Sequence, residues 1–286
     1  MKFDAIVIGK GPAGISAAVY LLRAGYTVGV IASDYGALER ADRIENFYGF
    51  PEPVSGKELA ERGEAQAMRL GAKFFHEEAV GAGFDGAFFV RTASGVYRAD
   101  CVVFATGTSR KKPKIENLEK FEGSGVSYCA VCDAFFFRKK KVAVLGGGEY
   151  AKNETEEVKD VVKEVVVLTD GTEPEVEFDA RVEKRPVVSL YGDFALEGVE
   201  YADGTRENFD GLFVAIGRAG TADLAKKMGA AVENGEIVVD EKFSSTVPGV
   251  FAAGDCVKGI KQVAKAVSDG MEAALSAIQY LRQRNN

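Results

Sequence analysis

Two short apolar runs, each ending in glycine, set the pattern of this chain. The first, "FDAIVIG" at residues 3–9, reads as a buried parallel strand. Beyond it Ile15, Ala18, Val19 and Leu22 recur at helical spacing, Gly25 closes the helix, and "TVGVIAS" gives a second strand. The second run, "KKVAVLGGG" at residues 140–148, starts another strand–turn–helix pattern that leads to "VVVLTDG". Short strands with turns at "FDGA" and "ASGV" fill residues 73–105, and "LFVAIG" adds a later strand. The chain ends with "TVPGVFAAGDC" and a helix from about Lys261 to Arg282, whose apolar stripe is Val263, Val267, Ala274, Ile278 and Leu281. The pattern predicts an α/β protein with two Rossmann-like three-layer domains, the second inserted in the first. The expected division is residues 1–112 with 243–286 against 113–242, both ordinary domain sizes.

The first turn carries Gly9-x-Gly11-x-x-Gly14 between a strand and a helix, the context in which this spacing signals dinucleotide binding. Gly9 permits the tight turn, Gly11 lets backbone approach a pyrophosphate, and Gly14 lets helix pack on strand. The helix N-terminus then faces the phosphates. The second strand ends in Ala32 and Ser33 where a ribose-binding acid is usual, so Asp34 comes one residue late.

Charge narrows the partners. A net charge of −7 argues against nucleic-acid or anionic-membrane binding, and no apolar run is long enough to span a bilayer. Asp4 interrupts the opening apolar run, so it is not a signal peptide and a cytoplasmic protein is expected. One histidine, His76, reads as a surface imidazole and leaves no basis for a metal site or a Ser–His–Asp triad. Of four cysteines, Cys101 and Cys256 read as packed or pocket-lining residues.

Cys129 and Cys132 are different. Zinc would need a second ligand pair, which the sequence lacks. Two intervening residues allow a small reversible disulfide ring with thiols of lowered pKa. Asp133 places a proton carrier beside the second sulfur. Phe135, Phe136 and Phe137 follow, and two of the three are expected in the core.

These segments together resemble the small, bacterial type of thioredoxin reductase over essentially the whole chain. The marks are "GKGPAGISAAVY", "RIENFYGFPEPVSGKEL", "FATGTSRKKP", "SYCAVCDAFFFRKKKVAVLGGG", "LFVAIGR" and "TVPGVFAAGD". The resemblance implies FAD in the first domain. Its pyrophosphate would lie on the turn of Gly9, Gly11, Pro12, Ala13 and Gly14. Asn46, Thr106, Gly107 and Thr108 would lie near the flavin ring or its linker. Gly254 and Asp255 would serve the ribityl chain, and Gln262 and Val263 would approach the ring. Cys132 would face the flavin, Cys129 would attack the disulfide of a thioredoxin-like protein, and Asp133 would be the acid–base group. A homodimer is implied as well. Because a disulfide stacked on the flavin is hidden from a protein, a rotation between domains is expected, with hinges near Pro113 and Phe243.

The second turn departs from that pattern. Relatives that use NADPH place a His-Arg-Arg-type cluster after the following strand, whereas here the strand end is "VVVLTDGTEPE". No arginine or histidine lies between Lys163 and Arg181, so a ribose phosphate would meet Asp170, Glu173 and Glu175. Glu149 and Tyr150 stand where a pyrophosphate needs bare amides and are expected to plug the pocket. The alternative is that Asp170 grips a ribose hydroxyl and NADH or NADPH remains the donor. The chain is also similar to pyridine-nucleotide-independent relatives reduced by ferredoxin, in "GALERADRIENFYGFPEPVSGKEL", "SYCAVCDAFFF" and "GGGEYA". An acidic ferredoxin would dock on basic residues. Arg110, Lys111, Lys112 and Lys114 offer one cluster, and Arg138, Lys139, Lys140 and Lys141 another.

Overall fold

The first apolar run becomes strand β1 (Lys2–Ile8), and its turn opens helix α1 (Pro12–Arg23), with Pro12 in the first turn where its missing N–H costs nothing. This computed structural model describes residues 1–107, 113–216 and 220–284. Strand β2 (Val28–Ile31) follows, then α2 (Gly56–Arg69), whose cap is Ser55 accepting from Glu58 N at 3.1 Å. Strands β3 (Lys73–Phe75), β4 (Gly81–Phe84), β5 (Phe88–Thr92) and β6 (Gly95–Phe104) complete a sheet ordered β3-β2-β1-β6-β5-β4. Its β3, β2, β1 and β6 members run parallel, and β5 and β4 form an antiparallel extension.

The next stretch holds β7 (Val126–Ser127), the one-turn helix α3 (Ala130–Asp133), β8 (Lys141–Leu145), α4 (Glu149–Lys159), β9 (Glu164–Leu168) and β10 (Arg181–Glu183). Then come β11 (Val187–Tyr191), β12 (Gly198–Tyr201), β13 (Arg206–Asn208) and β14 (Gly211–Val214). A five-stranded parallel sheet runs β10-β9-β8-β14-β7, and β11-β12-β13 form a separate antiparallel sheet. Strands β8, β9 and β14 are mainly Val and Leu because parallel strands are covered on both faces.

The chain then returns to the first sheet through α5 (Thr221–Lys227), the small pair β15 (Val232–Glu233) and β16 (Glu236–Ile237), β17 (Val250–Ala252) and α6 (Val263–Arg284). Strand β17 pairs with β6 in parallel. Helix α6 lies on α1 through small residues: a Cβ on Gly270 would stand 2.0 Å from Ala13 O, and Ala17, Ala18, Ala273, Ala274 and Ala277 are fully buried.

Two units result, Met1–Ser109 with Gly220–Asn286, and Arg110–Ala219. The return crossing therefore falls at Gly220, earlier than the 242/243 step expected from sequence. Residues after Gly220 are held by the first unit: α5 packs on β4, and Glu236 Oε1 accepts from Lys261 Nζ at 2.8 Å. Phe243 packs on the core of α1 and α6, well inside the first unit, so it is not at a crossing where a hinge could act. Among the described residues no helix is long and apolar enough to cross a membrane, and no cluster of His, Cys, Asp or Glu could hold a metal ion.

Candidate active site

The first unit builds a cradle from the two ends of the chain. Gly9 sits at φ +106°, and a Cβ there would meet Ala105 O at 2.2 Å. Gly14 is as tightly placed, 2.0 Å from Gly9 O, whereas a Cβ on Gly11 would meet nothing within 4 Å. The two outer glycines thus close the turn and the middle one faces open space, where a phosphate can approach backbone. No acid lies in the first turn of α1, which suits an anion.

Residues 254–263 come to the same place. Gly254 adopts φ +77°, and its Cβ would stand 2.8 Å from Ala13 Cβ. Asp255 follows, half-buried, and burial raises its carboxyl above the usual range, with Lys261 partly offsetting that. Asn46 Nδ2 donates to Gln262 Oε1 at 3.0 Å, joining two predicted site residues across 216 positions. Val263 opens α6 and packs on the cluster of Leu38, Ile44, Val54 and Ala60. Thr106 Oγ1 is buried with no hydrogen-bond partner among the described residues. The Cys256 thiol is one neighbour, a weak donor that bonds Phe104 O and Ala253 O and is pushed up to about 11 by burial. An orphaned hydroxyl beside an open glycine turn fits a cofactor that carries a pyrophosphate and hydroxyls. The predicted residues from Gly9 to Gly14, with Asn46, Thr106, Gly107, Gly254, Asp255, Gln262 and Val263, all lie in this unit, and Thr108 lies outside the described residues.

Sequence reasoning missed Lys10. It is buried beneath Tyr35, its Nζ 4.0 Å from the ring centroid, and donates to Glu64 Oε2 at 3.0 Å. Its Nζ also lies 3.1 Å from His76 Nδ1, so His76, although exposed, is tied to the turn.

In the second unit Cys129 and Cys132 form a disulfide. Cys129 is buried and caps α3, its Sγ accepting from Cys132 N at 3.3 Å, while Cys132 is exposed. Asp133 Oδ2 accepts from Ser127 Oγ at 2.7 Å, and Ser127 Oγ accepts from Cys129 N at 3.1 Å. Ser127, a buried hydroxyl unmarked by any motif, thus clamps the acid to the backbone of the first cysteine. Phe135 and Phe136 are 72% and 70% exposed, against the expectation that two of the three phenylalanines are core. Only Phe137 packs, edge-on to Phe213 with centroids 5.4 Å apart. The segment Ala134–Phe137 is a 3-10 turn, which spreads consecutive side chains about a third of a turn apart, so one of three faces the sheet.

The second glycine turn is flanked by the segment of Pro174 and Glu175. Glu175 N donates to Gly147 O at 2.8 Å, and Pro174 Cα is 3.6 Å from where a Gly147 Cβ would be. Asp170, at φ +51°, accepts from Val187 N through Oδ1 at 2.8 Å, so that oxygen already serves backbone. Glu173 pairs with Lys184. Tyr150 does not plug a pocket as expected: it is buried in the core under α3 and donates to Tyr128 O at 3.2 Å. Glu149 does stand in the first turn of α4. Of the basic residues, Arg138, Lys139 and Lys140 are exposed, whereas Lys141 pairs with Glu207 and Glu164. Lys114 is exposed, and Arg110, Lys111 and Lys112 lie outside the described residues.

Comparison with known proteins agrees with this chemistry. The family model for pyridine nucleotide-disulphide oxidoreductases matches residues 3–188 and 186–270. The thioredoxin reductase of Treponema pallidum is 34% identical, with 99% of each chain covered. The crystal structure of the atypical thioredoxin reductase TRi from Desulfovibrio vulgaris Hildenborough is 39% identical over 98% of each chain, with a TM-score of 0.92. That of a ferredoxin-flavin thioredoxin reductase from Clostridium acetobutylicum is 28% identical over 99% of each chain, with a TM-score of 0.72. The chain therefore belongs to the pyridine nucleotide-disulphide oxidoreductase family and, within it, to the FAD-dependent thioredoxin reductases.

Proposed function

We propose that this thioredoxin reductase takes its electrons from a reduced ferredoxin and delivers them through the Cys129–Cys132 disulfide to a thioredoxin-like protein. The observation that carries the donor assignment is the acid at the start of the helix after the second turn. Glu149 stands beside the amides of the helix's first turn, Asp170 Oδ1 is bonded to Val187 N, and Glu175 N is bonded to Gly147 O. A dinucleotide needs those amides free and needs cations beside its ribose phosphate. Likeness to the Clostridium acetobutylicum ferredoxin-flavin enzyme supports the same donor. Arg138, Lys139, Lys140 and Lys114, with Arg110, Lys111 and Lys112, are the cations offered to an acidic partner.

The residues from Gly9 to Gly14, Asn46, Thr106, Gly107, Gly254, Asp255, Gln262 and Val263 hold FAD, which when bound supplies a carrier that can be charged by single electrons and discharged as a pair. Cys132, the exposed sulfur, is the one that meets the electrons. Two electrons and two protons convert the disulfide to a dithiol, with Asp133 passing a proton and Ser127 fixing its carboxylate. The Cys129 thiolate then attacks one sulfur of the substrate disulfide and expels the other as a thiolate. Cys132 attacks Cys129 in the mixed disulfide, re-forms the Cys129–Cys132 bond and frees the second substrate thiolate. The two protons released by the enzyme thiols end on the substrate dithiol. Since Cys129 is buried, a rearrangement must uncover it first, and Phe135 and Phe136 offer a protein substrate an apolar contact beside it. Action as a cytoplasmic homodimer is part of the same proposal.

Anaerobic titration tests it. Reduced ferredoxin should bleach the flavin band with FAD bound one per chain, and NADPH and NADH at millimolar concentration should not. Rapid bleaching by either nucleotide would overturn the donor assignment and leave the disulfide chemistry standing.

A further inference from the structure

Helix α4 follows the second glycine turn, and two of its buried polar side chains, Tyr150 and Glu154, reach the redox turn. Tyr150, Ala151, Glu154 and Val158 line its buried face. Glu154 is 1% exposed, and its Oε2 accepts from Ala130 N at 2.8 Å. Ala130 is the residue after Cys129 and the first of α3. One turn earlier on the same face, Tyr150 Oη donates to the carbonyl of Tyr128, the residue before Cys129. The backbone on both sides of the buried cysteine is thus gripped by one helix. Asn153 Nδ2 lies 3.4 Å from Glu154 Oε1 and holds the carboxylate from its other side.

We infer that Glu154, with Tyr150, is the positioning element of the redox turn, and that its carboxylate keeps the Cys129–Cys132 couple a strong reductant. This rests on the reading of Cys129 and Cys132 as the redox pair. Two physical effects follow from the geometry. First, a hydrogen bond from a buried amide to a carboxylate is among the stronger ones, so the turn returns to one geometry after each cycle. Second, the bond to Ala130 N holds the Glu154 carboxylate at the residue next to Cys129. A negative group here disfavours the thiolate form of the dithiol and so favours handing electrons on. The other ionisable groups around the turn are Asp133 on the turn itself and Tyr128, whose Oη donates to Glu122. Neither bonds the Ala130 amide in its place.

The disulfide–dithiol equilibrium of the purified holoenzyme decides the matter, read in dithiothreitol redox buffers by thiol alkylation and mass spectrometry. Glu154→Gln keeps an acceptor for Ala130 N and removes the charge. It should shift the equilibrium three- to tenfold toward the dithiol, or ~15–30 mV at 29.6 mV per tenfold. Glu154→Ala loses both and should also cut kcat with a thioredoxin-like substrate about tenfold at a KM within twofold, with Gln restoring most of the rate. A shift below twofold in Glu154→Gln overturns the inference. Should neither variant fold, Tyr150→Phe decides it: turnover should fall at least threefold at unchanged KM, and unchanged turnover overturns the cradle. Cys129→Ser runs in parallel. If it still turns over, the redox-pair reading itself has failed. If it is dead while Glu154→Gln behaves as wild type, only the present inference has.

Discussion

The chain has two glycine turns of the same strand–turn–helix design, and their helices start differently. At the first, the middle glycine faces empty space and the helix behind it starts without an acid. At the second, Gly148 takes the place of Gly11 as the cap of its helix, Glu149 begins that helix, and Glu175 N donates to the O of Gly147, the counterpart of Lys10. Both retain the close strand–turn contact, with a Cβ on Gly9 or on Gly146 falling 2.2 Å from a carbonyl of the neighbouring strand end. The difference teaches that glycine at the tight positions preserves the fold, whereas bare amides at the middle position preserve binding. The two requirements are separable, and substitutions at each position can tell them apart.

Substitutions at the glycines test that separation. Gly9→Ala should be the most damaging, because both the positive φ and the Ala105 carbonyl oppose a methyl. A loss of about 4 kcal/mol is expected by urea unfolding of the FAD-free protein. Gly11→Ala should leave that unfolding curve unchanged, because nothing stands within 4 Å of its Cβ. FAD affinity should instead fall about 100-fold, roughly 2.7 kcal/mol, read from the 450 nm absorbance retained after dialysis. An FAD-loaded Gly11→Ala protein would break the comparison at its first member.

Asp170→Ala removes the acceptor of the Val187 amide and asks alanine to adopt a positive φ. It should cost about 1–2 kcal/mol in stability and leave steady-state kinetics alone. A rise in KM for a nicotinamide with unchanged stability would restore a ribose role to this acid. Acid titration probes the same unit more gently. Hydrogen bonding from Arg185 outweighs burial and holds the Glu183 carboxyl down at about 2. An unfolded glutamate titrates near ~4.3, so this stabilisation is complete above that pH and is lost as pH falls toward 2. Arg185→Ala should flatten the decline in urea midpoint over that window. The smallest effect belongs to Gly147→Ala. Its Cβ would make only ordinary contacts, the nearest at 3.6 Å, so stability should move by less than ~0.5 kcal/mol and ferredoxin-driven turnover by less than twofold. A large fall in turnover would show that this turn still binds a substrate of the reaction.

Much of this could be read from residue order because it depends on spacing. Glycine turns, parallel strands and the cysteine pair are local patterns, and local patterns survive in one dimension. Ser127 was illegible because a serine two residues before a cysteine signals nothing until the fold turns it toward Asp133. Glu154 left a trace: an acid sits on the same helical stripe as Tyr150, Ala151 and Val158, where burial demands a partner. The three phenylalanines were misjudged because hydrophobicity was weighed without the 3-10 geometry that exposes two of them. The second crossing was placed late because "TVPGVFAAGD" is the first recognisable sequence of the returning unit, whereas α5 is held by packing on β4.

The bond from Asn46 to Gln262, and the seating of Gly270 on Ala13, have a consequence for how the protein is made. Helix α1 is translated before the inserted unit, but α6, the helix it packs on, is translated after it. The first unit therefore cannot close around α1 until α6 has been made, whereas every strand of the inserted unit has by then been available to pair. The redox-disulfide lobe should be the first to fold, and the cofactor should be the last component to arrive.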